Sequence, residues 1–396
     1  MTHTTSALAA RFGTPLYVYR LDRVAAALRD LRAALPQPSR LYYSLKANPH
    51  ARIAGVLRQG GCHAEVSSQG ELAVAREAGF SGAECFYTGP AKSPAEITAA
   101  LGQGVFRFSV ESEADLERVR AAAAQRGARV ECLLRVNGGS AGAVGLRMTG
   151  GASQFGTEPS QDLLESPSVT GLHFFPGSGA RDEDALFTAF LASITQAAQI
   201  RRRTPVTDVD LGGGFAAPYA RPGDRPRYPT LRRRLEIALD EHLPGWRDGD
   251  PVVCFESGRY LTADAGSLVC TVLETKRAGA AEFVLLDSGI NHLGGMAGLG
   301  RFVRPAALPV GAPPVGTSTA TLVGPLCTPA DVLGREAPAG TYRSGDTVVF
   351  PNVGAYGLTA SLIGFLSRPA PLEVVVDEAT GAVSASRLEL SRREAP

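Results

Sequence analysis

The stretch LYYSLKANPH, residues 41–50, places a lysine directly after an apolar run. Lys46, Lys92 and Lys276 are the only lysines in a chain with 40 basic residues. Arginine stays protonated, whereas a lysine amine can form a Schiff base with a carbonyl group once its pKa is lowered. We therefore expect Lys46 to be retained for its amine. Lys92 and Lys276 are expected to be solvated surface residues.

Two glycine-containing turns are candidates for binding an anion. DLGGGF, residues 210–215, includes Gly213 and Gly214, and PGSG, residues 176–179, adds the Ser178 hydroxyl. Adjacent glycines let backbone N–H groups approach an anion. DLGGGF lacks both the Rossmann and the P-loop spacing, so by itself it is as compatible with a plain turn. Beside a single strand-end lysine, the two turns indicate a phosphorylated carbonyl cofactor, and pyridoxal phosphate (PLP) is the obvious candidate.

Glu256, in FESGRY, is the candidate partner for the ring of such a cofactor. A carboxylate that faces the pyridine nitrogen keeps it protonated and makes the ring a strong electron acceptor. The alternative is that Glu256 only pairs with Arg259 at the end of a strand.

Short apolar runs alternate with helical patterns from residue 41 to 260, which predicts parallel strands joined by helices. Eight such runs predict a closed (β/α)₈ barrel. Active-site residues of this fold lie where strands end, so the residues at those ends should meet at one mouth. The candidate strands are RLYYSLKAN, CHAEVSS, CFYTGP, VFRFSVES, VECLLRVN, GLHFFPGS, VDLGGGF and VVCFESGRY. Their ends carry Lys46, Glu65, Arg135, Ser178, the 212–214 glycines, Glu256 and Arg259.

The pattern changes after residue 260, where runs such as AEFVLLDSG and DTVVFPNVGAY predict antiparallel strands. DEATG, residues 377–381, predicts a hairpin loop. We expect the barrel to span residues 31–262. A β domain is expected to combine residues 1–30 with 263–396.

Six segments together resemble the fold type III PLP-dependent decarboxylases, which include diaminopimelate, ornithine and arginine decarboxylases. Their order and spacing hold from Lys46 to Phe365. The segments are YYSLKAN, HAEVSSQGEL, VDLGGGF, FESGRY, GPLCTPADVL and NVGAY.

The resemblance implies a PLP barrel of the alanine racemase type, a C-terminal β domain and a homodimer with active sites shared between subunits. Lys46 would hold PLP, Glu65 would lie near the Schiff base, and Glu256 would pair with the pyridine nitrogen. Cys327 would come from the partner subunit and deliver a proton after carbon dioxide leaves. The cofactor phosphate would be surrounded by Ser178, Gly213, Gly214, Arg259 and Tyr356. Arg135, Phe175 and Gly258 would also contact the cofactor.

Two positions depart from the family pattern and bear on the substrate. Diaminopimelate decarboxylases commonly place a histidine over the PLP ring, where this chain has Phe175. A phenyl ring can cover PLP but cannot hydrogen-bond or carry charge. His173, two positions earlier, is expected to be structural. Decarboxylases of basic amino acids typically follow the loop cysteine with Asp or Glu, where this chain has Thr328, although Asp331 could compensate.

A further segment, LLDSGINHLGGMAGLGRFVRP, is similar to a branch that includes the butirosin-pathway decarboxylase of a glutamyl-carrier protein. Its glycines would suit an open pocket for a long or tethered substrate, or would form a flexible loop without a substrate role. Arg301 or Arg304 could meet a distal carboxylate or a phosphopantetheine phosphate.

Composition excludes several classes of function. A net charge of +1 produces no strong electrostatic field that would attract nucleic acid or an acidic membrane. The six cysteines show no spacing typical of a metal site, and five lie in apolar runs, as reduced core cysteines do. The sequence shows no signal peptide and no apolar run of membrane-spanning length, so we expect a cytoplasmic location.

The sequence therefore predicts a PLP-dependent amino-acid decarboxylase with a specialised substrate, acidic or bound to an acyl-carrier protein. One alternative is a diaminopimelate or other diamino-acid decarboxylase. An amino-acid racemase shares the barrel type but normally lacks the GPLC loop. An inactive regulatory homologue is less compatible with the retained Lys46 and Cys327.

Overall fold

The computed structural model describes residues 4–137, 153–294, 306–310, 319–392 and 394. The chain divides into two compact units. One unit, the barrel, contains Ala25–Ala216 and Pro226–Leu261. The other, the β domain, contains Met1–Val24, Ala217–Arg225 and Thr262–Pro396. The segment 217–225 follows the glycine turn of the barrel in sequence but belongs to the β domain.

The strands and helices have the following bounds in chain order. The strands are β1 (Leu16–Arg20), β2 (Arg40–Ser44), β3 (His63–Val66), β4 (Cys85–Tyr87), β5 (Arg107–Val110), β6 (Glu131–Arg135), β7 (Val169–His173), β8 (Asp208–Asp210), β9 (Val252–Ser257), β10 (Gly266–Ala278), β11 (Ala281–Leu286), β12 (Thr319–Val323), β13 (Val332–Pro338), β14 (Thr347–Phe350), β15 (Leu372–Asp377) and β16 (Ala382–Arg387). The helices are α1 (Thr5–Phe12), α2 (Leu21–Ala34), α3 (Ala51–Gln59), α4 (Gln69–Glu77), α5 (Pro94–Gly102), α6 (Glu113–Gln125), α7 (Gln161–Leu164), α8 (Glu183–Arg201), α9 (Leu231–His242) and α10 (Arg259–Thr262).

Strands β2 to β9 form the predicted closed parallel barrel, in chain order, with β9 pairing back onto β2. Side chains two positions apart on a strand share a face, so the barrel interior is built in layers. One layer is apolar and comprises Tyr42, Phe86, Leu133 and Cys254. Two positions further along the same strands come Ser44, Thr88, Arg135 and Glu256. The interior therefore changes from apolar to polar toward the ends of the strands where the site residues lie.

Local sequence signals explain where the barrel helices begin. Ser68 caps α4 by accepting a hydrogen bond from the backbone N–H of Glu71, and Ser112 caps α6 in the same way. Ser93 and Glu96 form a capping box at the start of α5. Each of these helices therefore starts within a few residues of the end of the preceding strand, which keeps the intervening turns short.

The β domain is built on one sheet with the order β13-β12-β11-β10-β1-β15-β16, and β14 also pairs with β10. Most pairs are antiparallel, as predicted, and β15 and β16 form the predicted hairpin. Two pairs differ from the prediction: β1 runs parallel to β15, and β11 runs parallel to β12. The strand β13 was not predicted from the sequence. A parallel neighbour cannot be read from the alternation within one strand, because alternation is the same for both directions.

Across the residues that the structure describes, no helix is long and apolar enough to cross a membrane.

Candidate active site

Lys46 lies in a short 3₁₀ turn, Leu45–Ala47, directly after β2. Its Nζ atom lies 3.1 Å from Oε1 of Glu65 on β3, and the Thr88 hydroxyl donates to the same oxygen over 2.6 Å. Burial alone would raise the pKa of Glu65. The Lys46 ammonium and hydroxyl hydrogen bonds outweigh burial and lower that pKa to about 2. Glu65 is therefore ionised at neutral pH and holds the lysine amine in place.

The amine of Lys46 borders a cavity of about 330 Å³. The turn at residues 88–92 forms one wall, and Arg135 and Phe155 lie on its lining. The side chain of Lys46 is 35% exposed, whereas that of Glu65 is 2% exposed. The amine thus faces open space while its counter-ion is buried, which is the arrangement that a reacting amine requires.

Arg135 ends β6 and is almost completely buried. Its guanidinium donates to Glu111 over 3.0 Å and lies over the rings of Phe155 and Phe175, at 4.8 and 5.9 Å from their centroids. The Lys46 amine also lies 5.9 Å from the Phe175 centroid. The ring of Phe175 is therefore within cation–π distance of both cations.

The glycine turn after β8 is closely packed. Gly212 has a φ of +73°, and a Cβ there would lie 2.3 Å from the carbonyl oxygen of Phe174. A Cβ on Gly213 would lie 2.6 Å from the carbonyl oxygen of Glu256. Side chains are therefore excluded from this turn. Gly214 accepts a hydrogen bond from the backbone N–H of Ala180, which joins this turn to the one that carries Ser178.

Glu256 on β9 is buried with His173 of β7. His173 Nε2 lies 3.3 Å from Glu256 Oε1, and its Nδ1 lies 2.7 Å from the Ser109 hydroxyl. Asp210, on β8, is completely buried, and burial together with the charge of Glu256 raises its pKa well above the usual range. Ionisation of Asp210 is therefore disfavoured beside Glu256.

Gly258 explains how β9 approaches the lysine turn. A Cβ at this position would lie 2.7 Å from Ala47 Cβ and 3.0 Å from the carbonyl oxygen of Ser44. The absent side chain lets the end of β9 pack directly against the turn that carries Lys46. Arg259 begins α10 immediately afterwards.

The prediction for Lys92 is wrong. Its side chain is buried, and its Nζ donates to Asp115 over 2.6 Å and to the carbonyl of Gly89 over 2.7 Å. The turn after β4 folds Lys92 back toward the start of α6, where Asp115 supplies the counter-charge. Lys276 is exposed, as predicted.

The loop that carries Cys327 lies in the β domain. Cys327 is exposed, whereas the other five cysteines are buried, as their apolar surroundings predicted. Asp331 is also buried, and its two carboxylate oxygens accept hydrogen bonds from the backbone N–H groups of Ile290 and Leu326, at 2.8 and 2.7 Å. The suggestion that Asp331 binds a substrate amine is therefore not supported, because its carboxylate instead fixes the loop that carries Cys327 and Thr328.

Tyr356 also lies in the β domain and has a φ of +54°, which is unusual for a residue with a large side chain. The hydroxyl of Tyr219 donates to its carbonyl oxygen over 2.9 Å. Asn352, with a φ of +59°, donates from its side chain to the carbonyl oxygens of Arg221 and Gly223. The 217–225 segment thus holds the turn of Tyr356. Arg301 and Arg304 lie outside the described residues.

Sequence reasoning missed several residues that the structure brings close to the predicted ones. They are Ser109, Glu111, Asp210 and Asp115. Ser109 and Glu111 follow Arg107 at intervals of two, so the alternation of β5 could have placed all three on the inner face.

The residues present fit PLP. Oε2 of Glu65 and Oε1 of Glu256 are buried and have no hydrogen-bond partner among the described residues. A buried carboxylate oxygen without a partner is unfavourable, so these atoms suit a bound group that offers a proton. The partly exposed amine of Lys46 and the glycine turn after β8 also fit such a group.

Comparison with known proteins agrees with this chemistry. Residues 21–263 match the family of the pyridoxal-dependent decarboxylase, pyridoxal binding domain. The chain belongs to this family. It is thus a PLP-dependent decarboxylase, as the sequence predicted.

Individual relatives extend the likeness over nearly the whole chain. The chain is 32% identical over 388 residues to the L-glutamyl-(BtrI acyl-carrier protein) decarboxylase of Niallia circulans, covering 93% of this chain and 90% of that protein. It is 32% identical over 390 residues to the diaminopimelate decarboxylase of Deinococcus radiodurans, with 94% and 93% coverage. The crystal structure of a diaminopimelate decarboxylase from Helicobacter pylori has the same fold, with a TM-score of 0.83, 24% identity, and 97% and 96% coverage.

Proposed function

We propose that this decarboxylase acts on a specialised substrate, an acidic amino acid or an amino acid bound to an acyl-carrier protein. The observation that carries the proposal is the chemistry of the 324–331 loop. Thr328 follows Cys327, and the carboxylate of Asp331 is occupied by two backbone N–H groups. An ammonium group at this loop would lack a charge-assisted hydrogen bond, worth about 1.5–3 kcal/mol. A substrate without a distal ammonium would lose no binding free energy at this loop.

The similarity to a decarboxylase of a glutamyl-carrier protein supports the same substrate class. Glutamate attached to a carrier protein through its side chain carries no distal ammonium. The neutral Thr328 would be compatible with such a substrate.

In the proposed mechanism the barrel residues bind the cofactor and control charge around it. Lys46 is the covalent anchor, and Glu65 holds and neutralises its amine. Glu256 holds a proton at the pyridine nitrogen. PLP, when bound, would supply an electron-accepting ring for the electron pair that stays on the α-carbon when carbon dioxide leaves. Phosphate binding is assigned to Ser178, Gly213, Gly214, Arg259 and Tyr356.

Two residues are proposed to control the reacting groups. Phe175 would cover one face of the ring and exclude water, which its proximity to both Lys46 and Arg135 supports. Cys327 of the partner subunit would return a proton to the α-carbon, for which its exposed loop position is suitable. This role requires a homodimer.

Carbon dioxide release from PLP-loaded protein tests the substrate class. The panel compares lysine, ornithine and meso-diaminopimelate with free glutamate and with glutamate tethered to a carrier protein. Lys46→Ala serves as the blank. We expect release from an acidic or tethered substrate and little from the diamino acids. Fast release from a free diamino acid would overturn the proposal.

The second candidate is a diaminopimelate decarboxylase. It is favoured by the 32% identity to the Deinococcus radiodurans enzyme. In that case a residue other than Asp331 must recognise the distal amine. The same panel separates the two candidates.

A further inference from the structure

Three side chains from alternate barrel strands form a continuous polar chain. Ser109 lies on β5, His173 on β7 and Glu256 on β9. The Ser109 hydroxyl lies 2.7 Å from His173 Nδ1, and His173 Nε2 lies 3.3 Å from Glu256 Oε1. All three residues are at most 1% exposed. Water therefore has little access to these atoms.

The chemistry of the end groups fixes the tautomer of the imidazole. An ionised carboxylate only accepts hydrogen bonds, so the contact with Glu256 is attractive only when Nε2 of His173 carries hydrogen. In a neutral imidazole Nδ1 then accepts, and the Ser109 hydroxyl is its donor. The ring of Phe86 meets the imidazole edge to face at 5.5 Å and restricts its rotation.

The contact of 3.3 Å between His173 Nε2 and Glu256 Oε1 is close but does not have hydrogen-bond geometry. Neither atom has a hydrogen-bond partner among the described residues. A small rotation of either side chain would allow His173 Nε2 to donate to Glu256, whose carboxylate can still accept a second proton donor from a bound group. The neighbouring Asp210 accepts a hydrogen bond from the backbone N–H of Gly212 through Oδ1, and its raised pKa disfavours a second negative charge beside Glu256.

We propose that His173 is a positioning residue that, held by Ser109, donates a hydrogen bond to Glu256 and keeps this carboxylate oriented toward the pyridine nitrogen. A hydrogen bond to one oxygen stabilises the anion, so the shared proton stays on the ring nitrogen and not on Glu256. The inference rests on the proposed role of Glu256. The positioning role goes beyond the structural role that was predicted for His173 from the sequence.

Nitrogen-15 NMR spectroscopy tests the proposal at the His173 imidazole and at the pyridine nitrogen. In the cofactor-free protein, labelled histidine should show His173 with hydrogen on Nε2 and an unprotonated Nδ1. In the protein loaded with ¹⁵N-PLP, the pyridine nitrogen should give the signal of a protonated ring. His173→Leu should move that signal to the unprotonated range and weaken PLP binding about tenfold, the effect of one lost hydrogen bond to a charged group.

Matched variants keep the test decisive. His173→Gln retains an N–H group near the position of Nε2 and should preserve the pyridine signal. Ser109→Ala removes only the partner of Nδ1 and should allow the other tautomer to appear in the histidine spectrum. His63→Gln is the control, because His63 lies at the start of β3 and is not one of the three linked residues Ser109, His173 and Glu256. It should change neither spectrum beyond the loss of its own signal.

The outcomes separate two failures. If Glu256→Gln leaves the pyridine signal unchanged, the assignment of Glu256 is wrong, and with it the basis of the inference. If Glu256→Gln shifts the pyridine signal but His173→Leu leaves the spectra and the PLP affinity as in the wild type, the positioning role of His173 is overturned. Should His173→Leu not fold, the same wild-type result for Ser109→Ala overturns that role. A His173 tautomer with hydrogen on Nδ1 in the cofactor-free protein would also overturn it.

Discussion

The amine of Lys92 lies 2.6 Å from the carboxylate of Asp115, and both side chains are almost completely buried. The pair joins the turn after β4 to the first turn of α6. Asp115 also accepts hydrogen bonds from the backbone N–H of Glu111 and from Arg118. Because Glu111 in turn holds Arg135, this ion pair supports one wall of the cavity beside Lys46.

Lys92→Met should destabilise the protein by about 3 kcal/mol, because it leaves Asp115 buried without its main counter-charge. Denaturant unfolding of the cofactor-free protein measures the change. Lys276→Met is the control and should alter stability little, since Lys276 is exposed. Equal stability of the two variants would show that Arg118 alone can neutralise Asp115.

Glu71 should make the stability of the protein fall as pH rises from about 4.5 to 7. Burial raises its pKa from 4.5 to about 7, although a hydrogen bond from the backbone N–H of Ser67 opposes the shift. Above pH 4.5 the unfolded chain ionises this group first, so the folded state loses roughly 3 kcal/mol relative to acid pH.

Glu71→Gln retains an oxygen that can accept from Ser67 but cannot ionise. Its advantage over the wild type should be absent near pH 4 and greatest above pH 7, as measured by unfolding at a series of pH values. An advantage that does not depend on pH would mean that the pKa of Glu71 is not raised.

Tyr219→Phe should weaken PLP binding about fivefold, because the hydrogen bond that holds the turn of Tyr356 contributes about 1 kcal/mol. Pyridoxal without a phosphate should bind the variant and the wild type equally well. Equilibrium binding of both ligands measures the difference. Tyr342→Phe is the control, since the Tyr342 hydroxyl has no hydrogen-bond partner in the described part of the chain. A loss that affects both ligands equally would argue against a role at the phosphate.

Thr328→Asp should raise kcat/KM for a free diamino acid about tenfold to a hundredfold, because it supplies the carboxylate that the loop lacks. Release of carbon dioxide from lysine and meso-diaminopimelate measures the gain. Thr328→Ser keeps a hydroxyl and should leave the preference unchanged. No gain in Thr328→Asp would place recognition of the substrate's distal end elsewhere.

The sequence was sufficient for the barrel and for the positions of Lys46, Glu65 and Glu256 at the ends of its strands. Apolar runs and helix caps are local signals, and strand order follows chain order in this fold. The burial of the Lys92 and Asp331 side chains could not be predicted from the local sequence. Their partners are decided by tertiary packing: a carboxylate 23 positions away for Lys92, and backbone N–H groups for Asp331.

The position of β1 has a consequence for the nascent chain. This strand is synthesised before the barrel, yet its two neighbours, β10 and β15, are translated after the whole barrel. The backbone N–H and C=O groups of β1 therefore stay unpaired until strands about 250 and 350 residues further along have been synthesised. Contacts between residues so far apart in sequence slow folding. During that interval an unpaired apolar strand is open to pairing with other chains. The helix α2 that follows β1 leads directly into the barrel, so the N-terminal segment is already tethered to an ordered body when β10 emerges.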